Sequence, residues 1–224
     1  MTWKGRYTPE PVNDSLEQRI RAGAIDAIQT QSVLGTIVPR SIPADAIVRP
    51  FVTELPVTAQ DGDEIRFLAD STNGVVWHLR YRAGAPSAYK WEYLGGRPLY
   101  AAVFTQESTT STSYGSLATA GPSVTLPLSG DYDVSHGCQS QAAAGVGNAS
   151  AVASFAVGST GPIDGDSSTV YGPNPTEASV VRTVRKTGLG AVALDMRFKI
   201  GTGAGTAYFA HRWITATPIR LGRT

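Results

Sequence analysis

The residues best equipped for chemistry are few and far apart in the chain. Histidine occurs at His78, His136 and His211, and the single cysteine is Cys138. A zinc centre or a Ser-His-Asp relay is usually announced by local motifs, and neither G-x-S-x-G nor H-E-x-x-H is present. Cys138 stands two residues from His136, which invites a thiolate nucleophile, but a lone cysteine inside a strand pattern behaves as a small hydrophobe. One cysteine also excludes an intramolecular disulfide and any multi-cysteine metal centre.

Asp61-Gly62-Asp63-Glu64 and Asp164-Gly165-Asp166 could offer oxygens to calcium, yet neither has the spaced acids of a twelve-residue calcium loop, so both read as acidic turns. Gly201, Gly203 and Gly205 faintly resemble a phosphate loop. Such a loop must open a helix, whereas these glycines join two strand patterns and read as a hairpin. Asn148-Ala149-Ser150 is a glycosylation sequon that matters only along a secretory route. Two carboxylates about 5 to 10 Å apart could cleave glycan, but the acids of residues 98–181 cannot be paired from sequence. No catalytic residue, metal ligand or cofactor is assigned.

The elements that must carry these residues are mostly strands. The 224 residues include 24 glycines and 14 prolines, a turn-rich composition, and the formal net charge of +1 provides no field to gather nucleic acid or an anionic membrane. No apolar run approaches the roughly 20 residues needed to cross a bilayer, and residues 1–10 are polar, so neither a membrane span nor a signal peptide is expected. Charge is placed unevenly. Residues 1–97 hold 11 basic and 11 acidic side chains, residues 98–181 hold no base and six acids, and residues 182–224 hold eight bases and one acid. The last two stretches nearly cancel, which predicts that they fold together in one domain.

Residues 14–30 read as a helix, because Leu16, Ile20, Ala24, Ala27 and Ile28 recur on one face and Asp14 with Glu17 offers a capping box. Leu16, Ile20, Gly23 and Ala27 follow coiled-coil spacing and predict a homotrimer assembled through this helix. Residues 31–56, with Pro39, Pro43, Pro50 and Pro56, read as an extended arm that packs on something else. Residues 64–68, 75–82 and 89–94 read as a three-stranded meander. Trp77, Leu79 and Tyr81 alternate with His78, Arg80 and Arg82, so one face is aromatic and the other charged. Trp77, Tyr81, Tyr89, Trp91 and Tyr93 are expected to form its core rather than a sugar-binding platform.

Strand signals then recur at 99–105, 114–117, 124–128, 132–138, 149–157, 179–187, 191–200 and 207–217. Val192, Leu194, Met196, Phe198 and Ile200 alternate strictly with Ala193, Asp195, Arg197 and Lys199. The expected fold is mainly β: an N-terminal helix and arm (1–56), an aromatic β-meander (57–97), and an antiparallel jelly-roll-like β-sandwich (98–224), assembled as a trimer.

The stretch 61–70, then Val75-Val76-Trp77-His78-Leu79-Arg80-Tyr81 and Tyr89-Lys90-Trp91-Glu92-Tyr93-Leu94-Gly95-Gly96, resembles a module of virion structural proteins of tailed bacteriophages. In that family it reads D-G-x-E, V-W-H-L-R-Y and Y-K-W-E-x-x-G-G. Ala120-Gly121-Pro122-Ser123-Val124-Thr125, Gly130-Asp131-Tyr132 and Ala210-His211-Arg212-Trp213-Ile214 look like the C-terminal half of those proteins, matched more loosely. The resemblance implies a minor tail protein, tail fibre or head fibre, a symmetric and trimeric appendage located in the virion. It supplies no catalytic residues.

Three readings of function follow. In the first, the arm docks on other virion proteins and the C-terminal domain touches a host-surface glycan through the loops 140–148 and 159–176, the second carrying Asp164, Asp166, Tyr171 and Asn174. In the second, the chain is a head fibre or decoration protein that clamps neighbouring subunits and binds no host molecule. The third is a glycan-cleaving enzyme. Neither nucleic acid nor membrane insertion is expected of any of them.

Overall fold

The computed structural model describes residues 51–144, 149–172, 177–201 and 205–223. They all belong to the second of two compact units, Phe51–Thr224, the first being Met1–Pro50. The helix expected at 14–30, its seam residues Leu16, Ile20, Gly23 and Ala27, and the arm up to residue 50 lie outside the described residues.

The meander forms as its alternation requires. β1 (Glu64–Asp70), β2 (Val75–Tyr81) and β3 (Trp91–Gly96) pair antiparallel in order. Trp77 is buried against Phe67, with ring centroids 6.0 Å apart, and meets Tyr93 edge-on at 6.3 Å; Tyr81 meets Trp91 at 5.3 Å. The Trp77 indole N–H donates to the Arg97 carbonyl at 3.1 Å, which satisfies its polar atom in the core. Opposite, Glu64 takes His78 at 2.9 Å and Arg80 at 2.7 Å. The end of the expected arm closes this edge: Val52 bridges Phe67 in parallel, and Leu55 is buried.

The remaining strands are β4 (Leu99–Val103), β5 (Glu107–Thr109), β6 (Ser123–Thr125), β7 (Ser129–Ala144), β8 (Ala149–Val157), β9 (Ser168–Gly172), β10 (Ala178–Leu189), β11 (Ala193–Ile200) and β12 (Gly205–Gly222). They complete two antiparallel sheets in a sandwich-like arrangement. The first runs β1-β2-β3-β12-β7-β10, with β4 and β5 also paired to β12, and the second runs β6-β11-β8-β9. Inward side chains meet between the layers, as where Phe198 of β11 lies 4.8 Å from Phe209 of β12, and His136 of β7 lies 5.5 Å from Phe155 of β8. β11 buries Leu194, Met196, Phe198 and Ile200 and leaves the residues between them half-exposed, the alternation read from the sequence.

Several expectations need correction. The meander is no separate layer, because β3 continues into β12 through Arg220↔Glu92 and Leu221↔Trp91, so the boundary expected at 97/98 is not a break in the fold. Residues 114–117 form no strand; Gly115 makes only an isolated bridge to Phe198. Serines just before it bind the backbone instead, Ser111 N–H to Thr109 Oγ1 and Ser113 N–H to Ser111 Oγ, the local competition that Ser and Thr offer to a ladder. The strand expected at 124–128 stops at Thr125, two residues before Pro127. β7 and β12 reach 16 and 18 residues, well past the 132–138 and 207–217 expected, because small residues that read as turns are gathered into the ladder between them. No helix among the described residues is long and apolar enough to cross a membrane.

Candidate functional site

The acidic stretch 164–166 is where the structure concentrates titratable side chains. A short 3-10 helix, Asp164–Asp166, sits between β8 and β9. β9 pairs with β8 only as far as Ala153, so the ladder leaves residues 154–157 of β8 beyond its reach. There the Ser154 hydroxyl donates to the Ile163 carbonyl at 3.1 Å, and the Ser167 hydroxyl donates to the Asp164 carbonyl at 2.8 Å, which fixes the turn.

Its two carboxylates point to different sheets. Asp164 Oδ1 accepts from the Tyr114 hydroxyl at 2.8 Å and from Lys199 Nζ of β11 at 2.7 Å, and Lys199 also lies 4.3 Å from the centre of the Tyr114 ring. Asp166 is buried and pairs with Lys186 of β10, while its carbonyl accepts from His136 Nε2–H of β7 at 2.8 Å. Arg182 of β10 donates to the Gly165 carbonyl at 3.1 Å. The turn therefore staples β11 of one sheet to β7 and β10 of the other.

The electrostatics of the turn suit holding. Hydrogen bonds from Lys199, then from Tyr114, hold Asp164 below the usual carboxylate range. Burial, then the Asp164 carboxylate, pushes the Tyr114 phenol up. The acid stays ionised and the phenol stays protonated near neutrality, so neither exchanges a proton there. Burial pushes His136 down, and with Nε2–H committed to Asp166 its Nδ1 has no partner in the interior. Burial pushes the Cys138 thiol up to about 12, which removes the thiolate reading. Among the described residues no group of three or more His, Cys, Asp or Glu could hold a metal ion. His78 and His211 lie elsewhere, one on Glu64 and one edge-on to Phe104 at 5.8 Å.

The expected host-contact residues are thus split. Asp164 and Asp166 are committed to lysines, Tyr171 is 76% exposed on β9, and Asn174 lies outside the described residues. Neither expected loop is loop throughout. Residues 140–144 complete β7, with Ser140 and Ala142 buried, and Ser168–Gly172 is β9. At Ser140, Ala142 and Ser168 the small side chain marks tight packing, not exposure, whereas residues 159–161 and 163–165 are exposed as the loop reading expects. Sequence reading also missed Tyr114, Lys186 and Lys199 as partners of the turn. The charge imbalance pointed to such pairs without saying which residues form them.

Elsewhere, a groove of about 510 Å³ runs beside β4, walled by Asp70, Asn73, Tyr100, Ser123 and Thr125. Asp70 is already engaged there by the Asn73 amide at 2.7 Å.

No protein-family model and no curated protein matches the chain. Among solved structures, one titled as infectious bursal disease virus Gx strain aligns at 12% identity and a TM-score of 0.29, over 72% of this chain and 46% of that one. A second, the glycosylation-associated Gap123 complex of Streptococcus agalactiae, aligns at 11% identity and a TM-score of 0.22, over 62% of this chain and 24% of that one. The chain thus spans less than half of either protein, and similarity this low bears on neither fold nor function.

Proposed function

We propose that the chain is a structural protein of a tailed-bacteriophage virion and works in attachment to the host surface. In this reading it trimerises through residues 14–30, docks on other virion proteins through its N-terminal arm, and displays a jelly-roll-like domain outward. The observation that carries it is the convergence of the segments resembling such proteins. The V-W-H-L-R-Y segment in β2 and the W-E-Y-L-G-G segment in β3 pair directly, and the H-R-W-I segment, far away in sequence, lies in β12 of the same sheet, the strand that β3 meets at Arg220 and Leu221. Matches that assemble into one unit support a shared module better than scattered matches would. The chemistry agrees, since the clustered acids and bases are used to lock two sheets together, which suits a display scaffold whose copies bind weakly and gain by avidity.

Gold-labelled antibody against residues 51–223 tests the reading on purified particles. Label on tail fibres that coincides with blocked adsorption is the expected result. Label on the head with unimpaired adsorption would replace attachment by decoration, and unlabelled particles would overturn both.

A further inference from the structure

A β-bulge turns β12 over. Before it, Ala207 and Phe209 face the core; after it, Arg212, Ile214 and Ala216 do. The register with β7 slips between Ala210 and Trp213, and His211 takes φ 48°. One inserted residue reverses the faces of all that follow. Arg212 is thereby sent inward and Trp213 outward.

Trp213 lands opposite Gly137 of β7 and Ala102 of β4. A Cβ at Gly137 would come 2.8 Å from the indole Cζ2 and 2.9 Å from Cε2, closer than real Cβ contacts. The indole therefore fills the space that the missing side chain of Gly137 leaves, and Trp213 stays half-exposed there. Among the described residues no other ring packs on it, and its N–H has no protein acceptor. In the next row of the same face stand Tyr100, Thr215, Ser135 and Thr183, in that order across the sheet. Ser135 and Thr183 share a hydroxyl hydrogen bond at 2.8 Å, and Tyr100 is 55% exposed. The nearest charges beyond that row, Asp133 and Arg185, neutralise each other through two contacts of 3.0 Å.

We propose that Trp213 and this hydroxyl row form a shallow binding site for a neutral pyranose ring. A pyranose offers an apolar C–H face to an aromatic ring and a rim of hydroxyls to neighbouring donors and acceptors. Here a flat indole, its free N–H and a row of uncharged hydroxyls stand side by side. A protein partner would call for a desolvated pocket around a buried anchor, whereas here the apolar surface is a single row, Ala102, Trp213 and Val181, the last 63% exposed, and the next row is hydroxyl. The source of the sugar, a host-surface glycan, rests on the attachment reading; the site itself does not. It also gives sugar contact a place other than Asp164 and Asp166, whose carboxylates are already paired.

The test is a 1H–15N titration of the full chain, following the indole N–H resonances with methyl α-mannopyranoside, methyl β-galactopyranoside and the N-acetylglucosamine trimer. Trp213→Phe identifies the Trp213 signal. The expected result is a saturable shift of that signal with one of the probes, at a dissociation constant on the order of millimolar, while Trp77 and Trp91 stay still. Saturation transfer to the sugar should fall at least about tenfold in Trp213→Ala. Thr183→Arg, which covers the platform from an exposed position without altering the indole, should do the same. No saturable shift with any probe overturns the proposal, as does transfer that survives both variants. A shift driven by protein concentration alone would overturn it too, because a second copy would then be the occupant. Competition for particle adsorption keeps the two readings apart. Parent chain that fails to compete counts against attachment, whereas equal competition by parent and Trp213→Ala counts against the platform.

Discussion

Arg212 and Glu107 meet at 3.0 Å between the sheets, the arginine fully buried and the carboxylate side chain 12% exposed. Glu107 Oε1 also accepts the Thr119 N–H at 2.9 Å, and the Arg212 guanidinium lies over the Phe198 ring. Burial works against the Glu107 carboxylate, but Thr119 and Arg212 together hold it below its ordinary range. Removing one partner strands the other charge in the core. Arg212→Met should lower unfolding stability by about 3–5 kcal/mol, and Arg212→Met with Glu107→Gln should recover part of the loss. Urea unfolding of the three proteins checks this; a single variant as stable as the parent would show that the pair holds nothing.

Trp91 is buried where the meander joins the rest of the first sheet. Trp91→Ala should cost about 3–5 kcal/mol, the usual loss for a buried aromatic. Because β3 pairs with β12, the loss should appear as one cooperative transition of the whole β unit, not as local melting of the meander. Circular dichroism together with tryptophan fluorescence would separate the two outcomes.

The charge asymmetry was the most informative feature of the sequence, and the structure shows why. Four of the six acids in the base-free stretch, Glu107, Asp133, Asp164 and Asp166, meet Arg212, Arg185, Lys199 and Lys186 of the basic stretch. Local alternation was equally legible in β2 and β11, where each side chain has one face to choose. What stayed hidden is non-local. The length of β7 depends on β12 pairing along it, and a bulge at His211 leaves no mark in a hydrophobic pattern, so the outward turn of Trp213 could not be read. Asp166 looked like a solvated loop acid because nothing nearby in sequence announces Lys186.

That contrast sets up a comparison between the two acids of the turn. Asp166→Asn removes a buried charged partner from Lys186 and should cost about 1.5–3 kcal/mol. Asp164→Asn, on a well-solvated carboxylate, should leave stability close to the parent's. Equal losses would mean that the turn does not staple the sheets in the way its contacts indicate.

His136 gives the fold a pH dependence with a definite sign. Burial lowers its pKa below the ordinary 6.5, so the unfolded chain takes up a proton that the folded chain refuses. Stability should therefore fall as pH drops below about 6.5 and level off once the folded pKa is passed. His136→Gln should flatten that part of the profile. Urea midpoints for both proteins between pH 7 and pH 5 decide it, and parallel profiles would remove His136 as the cause.

The most direct test of a virion role is quantitative mass spectrometry of purified particles from a phage that encodes the chain. Peptides from residues 67–80 should be present in the particles, at a copy number divisible by three relative to a major capsid protein counted in the same sample. Their absence from particles, with the chain abundant in the same lysate, would contradict it.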